Sequence, residues 1–158
     1  MNVPAVHLQA GDVLLDLPVE NRCQLFEVIG RHVERGGGPS TESVASALLR
    51  REQLGSTGLG DGVAIPHAQV RTLDRIRVFY ARPRVPLAFD APDRRPVVDI
   101  VVLLVPHPTT QEHLEALAEM VSRFADRPFR EMLHRCDTSE LVATHFRRAV
   151  VPDVCLSR

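Results

Sequence analysis

The chain has 158 residues, 44% of them hydrophobic, and a formal net charge of −1. That is enough for one domain with a sizeable core, and it carries no global basic field of the kind that holds nucleic acid. All 19 basic residues are arginine, which excludes both a Walker A lysine and Schiff-base chemistry by a lysine amine. No apolar run is long enough to span a bilayer, and the opening residues, Met-Asn-Val-Pro-Ala-Val-His, lack the basic and apolar regions of a signal peptide. Cys23, Cys136 and Cys155 form no C-x-x-C pair and read as reduced thiols. A cytoplasmic protein without membrane insertion is expected.

A short apolar run, Val13-Leu14-Leu15, precedes Pro18. Leu25, Phe26, Ile29 and Val33 then mark one face of a helix over residues 20–35, ended by Gly36-Gly37-Gly38-Pro39. Ser40 or Thr41 caps a second helix running through Ala45, Leu48 and Leu49 to about Gln53. A glycine-dense loop follows, with glycines at 55, 58, 60 and 62, and leads through Pro66 to His67. Residues 76–81 alternate as a strand, and residues 83–96, with four prolines, read as an irregular connection. Residues 97–105 are a β-branched run broken only by Asp99, which predicts a central strand buried on both faces. Thr109 and Glu112 fit a capping box opening a helix whose apolar face is Leu114, Leu117, Ala118, Val121 and Phe124. Asp137-Thr138-Ser139-Glu140 caps a last helix with Leu141, Val142 and Phe146. Helices before, between and after strands predict an α/β fold: a mixed parallel/antiparallel sheet flanked by helices.

The glycine loop and its exit carry the chemistry. Glycines let backbone N–H groups approach a ligand closely. Pro66 fixes its own φ and biases Ile65 to an extended conformation, so His67 is presented in a restricted geometry. If a backbone acceptor holds one imidazole N–H, the other nitrogen is free to attack phosphorus. Arg51 offers a guanidinium fork, always charged and shaped for phosphate oxygens. His113 falls in the first turn of its helix, where free N–H groups and the helix dipole favour an anion. Ser56 and Thr57 either donate hydroxyls to phosphate or cap turns. Arg50 serves as the control for Arg51 and is expected to point to water, and Asp61 reads as a turn residue. Asp99 is expected to satisfy a backbone or arginine partner. His7, His32, His107, His134 and His145 are given no catalytic role.

Residues 51–67, Arg-Glu-Gln-Leu-Gly-Ser-Thr-Gly-Leu-Gly-Asp-Gly-Val-Ala-Ile-Pro-His, resemble the active-site segment of phosphotransferase-system enzyme IIA domains of the fructose/mannitol type, whose pattern reads R-E-x-x-G-S-T-G-(I/L)-G-x-G-(I/V)-A-(I/V)-P-H. The resemblance runs over roughly residues 8–148, which implies one domain over 1–158 with short terminal tails. Ala68 departs from the glycine many members have there. The segment Val-Pro-His-Pro-Thr-Thr-Gln-Glu-His-Leu resembles the family's second-histidine segment, with His113 at the matching position and His107 in the loop before it.

The resemblance implies that His67 carries the phosphoryl group, assisted by Arg51 and His113. Ser56, Thr57, Gly58 and Gly60 are expected at the phosphate. It further implies phosphate from an HPr-like carrier and onward transfer to an enzyme IIB or to regulatory target proteins. No metal and no cofactor is expected beyond the transient phosphoryl group. Gly-Ser-Thr-Gly-Leu-Gly and Val-Pro-Leu-Ala-Phe-Asp-Ala-Pro-Asp resemble the stand-alone nitrogen-regulatory branch, and the absence of a following IIB or membrane portion fits that branch. The alternatives are the IIA component of a fructose/mannitol-type sugar permease and a binding module that keeps the fold without phosphotransfer. Exposed apolar residues around the loop are expected to dock the carrier, Leu59 among them.

A dinucleotide loop is excluded by context, because such a loop follows a strand and opens a helix, the reverse of the order here. His107 and His113 are six apart, which is not the spacing of a helical metal pair.

Overall fold

The computed structural model describes residues 8–148; His7, Cys155 and both expected tails lie outside the described residues. Among the described residues, after a 3-10 turn at Ala10–Asp12, six strands and five α-helices follow in chain order: β1 Val13–Leu17, α1 Arg22–Arg35, α2 Thr41–Leu54, β2 Gly58–Gly60, β3 Val63–Ala64, β4 His67–Val70, β5 Arg77–Pro83, β6 Asp99–Pro106, α3 Gln111–Ala125, α4 Arg127–His134 and α5 Ser139–Arg148. The sheet is mixed. β6 pairs antiparallel with β5 and parallel with β3 and β4, and β5 pairs parallel with β1.

The β-branched run reaches the centre of this sheet for the expected reason. From Asp99 to Val105 every residue of β6 is buried, and its side chains alternate between two cores. Ile100, Val102 and Leu104 join Phe26, Ile29 and Leu48 of α1 and α2 on one face. Val101, Leu103 and Val105 join Met120, Phe124, Leu133 and Phe146 of α3, α4 and α5 on the other. Covering both faces of a strand with helices is what lets a continuous apolar run stand without polar alternation.

Local signals set most helix ends. The Asn21 side chain accepts from the Gln24 N–H at 2.9 Å, and the Ser40 hydroxyl from the Ser43 N–H at 3.1 Å. Thr138 caps α5 by accepting from the Leu141 N–H at 3.1 Å.

Two expectations shift at α3. Its cap is Thr110 rather than Thr109, and the residue answering it three positions on is His113 rather than Glu112: the Thr110 N–H donates to His113 Nδ1 at 3.1 Å. The buried face rotates with it, to His113, Ala116, Met120 and Phe124, while Leu114 and Val121 face outward. Past Phe124 the chain breaks and restarts as α4. Asp126 accepts from the Phe129 N–H at 3.2 Å, and Pro128 sits in the first turn, where its missing N–H costs nothing.

The feature that builds the site is a broken edge. β3 and β4 both run parallel to β6, registering Val63 with Asp99 and His67 with Leu103. They behave as one strand interrupted at Ile65-Pro66, because Pro66 has no N–H to give the ladder. The Pro66 carbonyl still accepts from the Leu103 N–H at 2.9 Å, so the chain is held on both sides of the break and Ile65 is left with a carbonyl facing His67.

Candidate functional site

His67 opens β4, and its side chain folds back on the break. Nδ1 lies 2.8 Å from the Ile65 carbonyl oxygen. A carbonyl only accepts, so Nδ1 carries the proton and Nε2 holds the lone pair. Nε2 faces Arg51, in the last turn of α2, whose Nε–H donates to it at 3.3 Å. Arg51 is held in turn by donating through Nη1 to the Gly55 carbonyl at 2.9 Å, one helical turn on. The ring is thus oriented from one side and its nucleophilic nitrogen presented on the other.

The surroundings keep the imidazole neutral. Burial lowers the His67 pKa most and the Arg51 charge lowers it further, against opposing contributions from the Ile65 hydrogen bond and the Glu52 carboxylate. Neutral imidazole is the form that attacks phosphorus.

His113 sits on the same cleft, a cavity of about 790 Å³ lined also by Arg50, Arg51, Leu54, Leu114 and Leu117. Because His113 Nδ1 accepts from the Thr110 N–H, the neutral ring carries its proton on Nε2 and offers a donor. The two histidines therefore hold opposite tautomers, an acceptor nitrogen on His67 and a donor on His113.

Of the two roles open to Ser56 and Thr57, the hydrogen bonds of the glycine loop are those of turn and helix-end capping. Ser56 donates its hydroxyl to the Phe89 carbonyl and accepts from the Gly58 N–H at 3.0 Å. Thr57 is buried; its hydroxyl donates to Glu52 Oε1 at 2.6 Å and its N–H to Oε2 at 2.9 Å. Gly58 is required by close approach, since a Cβ there would lie 2.8 Å from Ala91 Cβ. Gly60 and Gly62, with φ of 96° and 79°, turn the β2–β3 hairpin about Asp61. None of Ser56, Thr57, Gly58 or Gly60 lines the cleft. Through Thr57 the loop grips Glu52, which also pairs with Arg22 at 3.4 Å and is the neighbour of Arg51 in α2. Glu52 is the residue whose part the sequence reading missed; its signal was a carboxylate continuing the i, i+4 stripe of Val44 and Leu48, the buried face of α2.

Arg50 is exposed as expected but stands on the cleft rather than away from it. Leu59 is outside the cleft; the apolar residues that rim it are Leu54, 87% exposed, and Leu114, 54% exposed. His107 bonds through Nδ1 to Gln69 Oε1 at 2.8 Å. Asp99 is satisfied by the Tyr80 hydroxyl and by His134 Nε2 at 2.6 Å, not by backbone or arginine. No group of three metal-ligating side chains occurs among the described residues, and none of their helices is long and apolar enough to cross a membrane.

A nitrogen regulatory protein of Klebsiella oxytoca is 36% identical over 123 residues, 77% of this chain and 75% of that protein. The crystal structure of nitrogen regulatory protein IIA-Ntr from Neisseria meningitidis matches with a TM-score of 0.82 at 39% identity, covering 87% of this chain and 94% of that one. Mannitol enzyme IIA of Escherichia coli, solved in complex with phosphorylated mannitol enzyme IIB, shares the fold with a TM-score of 0.74 at 17% identity, over 89% of this chain and 96% of that one. Residues 6–148 match the model of the family described as phosphoenolpyruvate-dependent sugar phosphotransferase system, EIIA 2. A histidine with its lone pair set beside an arginine, a donor histidine across the same cleft and these likenesses place the chain in one family: it belongs to the EIIA 2 proteins of the phosphotransferase system.

Proposed function

We propose that the protein is a phosphocarrier that accepts a phosphoryl group on Nε2 of His67 from an HPr-like phosphohistidine protein and regulates target proteins through its phosphorylation state, as a nitrogen-regulatory enzyme IIA. The observation that carries this reading is the tautomer lock, Nδ1–H on the Ile65 carbonyl with Nε2 toward Arg51. The likeness to nitrogen regulatory proteins favours the regulatory branch over a sugar permease component.

The step balances as follows. The Nε2 lone pair of His67 forms a bond to phosphorus as the P–N bond to the carrier's histidine breaks, and the bonding pair returns to that histidine. The His67 ring then bears both Nδ1–H and phosphoryl, an imidazolium whose charge the adjacent dianion offsets and whose P–N bond stays labile for onward transfer. Transfer through a loose transition state needs positioning and charge neutralisation. Arg51 releases the lone pair as phosphorus arrives and meets the equatorial oxygens; His113 donates from Nε2. No cofactor is called on. The exposed Leu54 and Leu114 supply an apolar seat for the carrier. A cytoplasmic setting follows from such partners.

The test is a reconstituted relay. The protein is mixed with phosphoenolpyruvate, enzyme I and an HPr-type carrier and examined by intact mass. An acid-labile, base-stable phosphoryl gain that His67→Ala abolishes is expected. No gain in a folded sample with any HPr-type carrier rejects the reading in favour of a binding module.

A further inference from the structure

Beside the cleft runs a second groove of about 450 Å³, sharing Ala47, Arg50 and Gln69 with it and adding Arg71, Thr72 and His107. Together the two surfaces present Arg50, Arg51, Arg71, His67, His107 and His113, and no aspartate or glutamate lines either. The whole chain carries 20 acidic and 19 basic residues, so a carboxylate-free face with three arginines is a local asymmetry rather than a reflection of composition. Glu52, next to Arg51, is buried and turned toward Arg22 and Thr57, and Glu112, next to His113, is exposed but lines neither surface. Among the described residues neither Arg50 nor Arg71 enters an ion pair, and both are exposed at the rim.

Arg51 alone is placed for the phosphoryl oxygens. Arg50 lines the same cleft as Leu54 and Leu114 without bonding to His67, and Arg71 and His107 line the adjoining groove. Unpaired charge on the rim of an apolar docking surface acts on a partner's rim: it selects sign and speeds encounter more than it adds affinity. We propose that this face recognises a carrier protein whose phosphohistidine is set in a carboxylate-bearing, acidic rim, with Arg50 and Arg71 as the selecting charges. The inference rests on the phosphocarrier reading above. It also gives the exchange a direction. A phosphoryl group on His67 adds about two negative charges to the centre of the face, one of them offset by the imidazolium it forms, which weakens the hold on the acidic carrier once transfer is done.

The experiment measures kcat/KM for phosphoryl transfer from a purified, phosphorylated HPr-type carrier of the same organism, across ionic strengths from about 20 to 300 mM, over which charge steering is progressively screened. Wild type, Arg71→Glu and Arg50→Glu/Arg71→Glu are compared, each checked for its folded NMR spectrum. The wild-type rate constant is expected to fall about tenfold with salt. The double reversal should lose about tenfold at low salt, through KM rather than kcat, and flatten the salt dependence. A carrier variant with one rim carboxylate changed to lysine should partly restore transfer to Arg71→Glu. Transfer that is salt-independent, or faster with the reversed arginines, overturns the acidic-rim proposal while leaving the phosphocarrier intact. No transfer to wild type from any carrier overturns the phosphocarrier reading and this proposal with it. Chemical phosphorylation with phosphoramidate, which needs no docking, separates a dead His67 from a failed encounter.

Discussion

Arg51 Nε stands 3.3 Å from His67 Nε2, so in the proposed transfer the guanidinium occupies the place that phosphorus would reach. The same contact favours the neutral imidazole and, on the proposed phosphocarrier reading, would leave a cation at the phosphoryl oxygens once displaced. A ring whose other nitrogen is tied to its own backbone two residues earlier has no alternative face to offer.

The titration of His67 tests that arrangement. Burial and Arg51 both lower its pKa, so its NMR midpoint is expected below the ordinary value of about 6.5. Arg51→Gln should move the midpoint up, with burial still keeping it below that of an exposed histidine. Because the folded pKa is depressed, the stability this site contributes is full above about pH 6.5 and is lost as pH falls through the lower folded value. A midpoint at or above 6.5, unmoved by Arg51→Gln, contradicts the site described.

The role proposed for His113 is that of a donor to the transferring group. His113→Ala should slow transfer by about 100-fold, the scale for losing one oriented donor to developing charge, and should lower Tm by roughly 3 °C through loss of the bond from the Thr110 N–H. His113→Gln, which can keep a donor, should recover part of the rate. Stopped-flow transfer and a thermal melt read the two effects separately; an unchanged rate in His113→Ala removes the role.

Gly58 separates packing from phosphate cradling. Its substitution by alanine would bring a Cβ to 2.8 Å from Ala91 Cβ, an overpacking cost of about 2 kcal/mol. Gly58→Ala should lower the unfolding midpoint in urea, and Ala91→Gly should return part of the loss. If the loop cradles phosphate, the same change would instead cut transfer at unaltered stability.

Glu52 holds the loop to α2. Glu52→Ala strips the buried Thr57 N–H and hydroxyl of their acceptor, a cost of about 3 kcal/mol, or roughly 8 °C in Tm. Glu52→Gln keeps one acceptor oxygen and should lose less. Equal melting of the two variants would show that Thr57 finds another partner.

Much of this was open to reading in one dimension. The two helices before the loop, the central strand and the turn at Asp61 follow from periodicity, capping side chains and glycine positions, because these act over a few residues. His67 was legible for the same reason: Pro66 and its neighbours fix the geometry locally. The α3 cap was misplaced by one residue because Thr109 and Thr110 offer the same hydroxyl, and only packing decides which turn begins the helix. That one-residue shift moves Leu114 to the surface and brings His113 to the cleft.

Other outcomes required the assembled fold. Ser56 and Thr57 are chemically fit for phosphate, but the approach of Phe89 and the burial of Glu52 claim their hydroxyls first. The partnership of Asp99 with Tyr80 and His134 joins residues 19 and 35 positions apart, beyond any local pattern. The sequence by itself determined which nitrogen chemistry is present and the short-range geometry that presents it. The tertiary structure alone decided which side chains meet at the cleft, because burial forces each polar group to a partner and distant strands supply it.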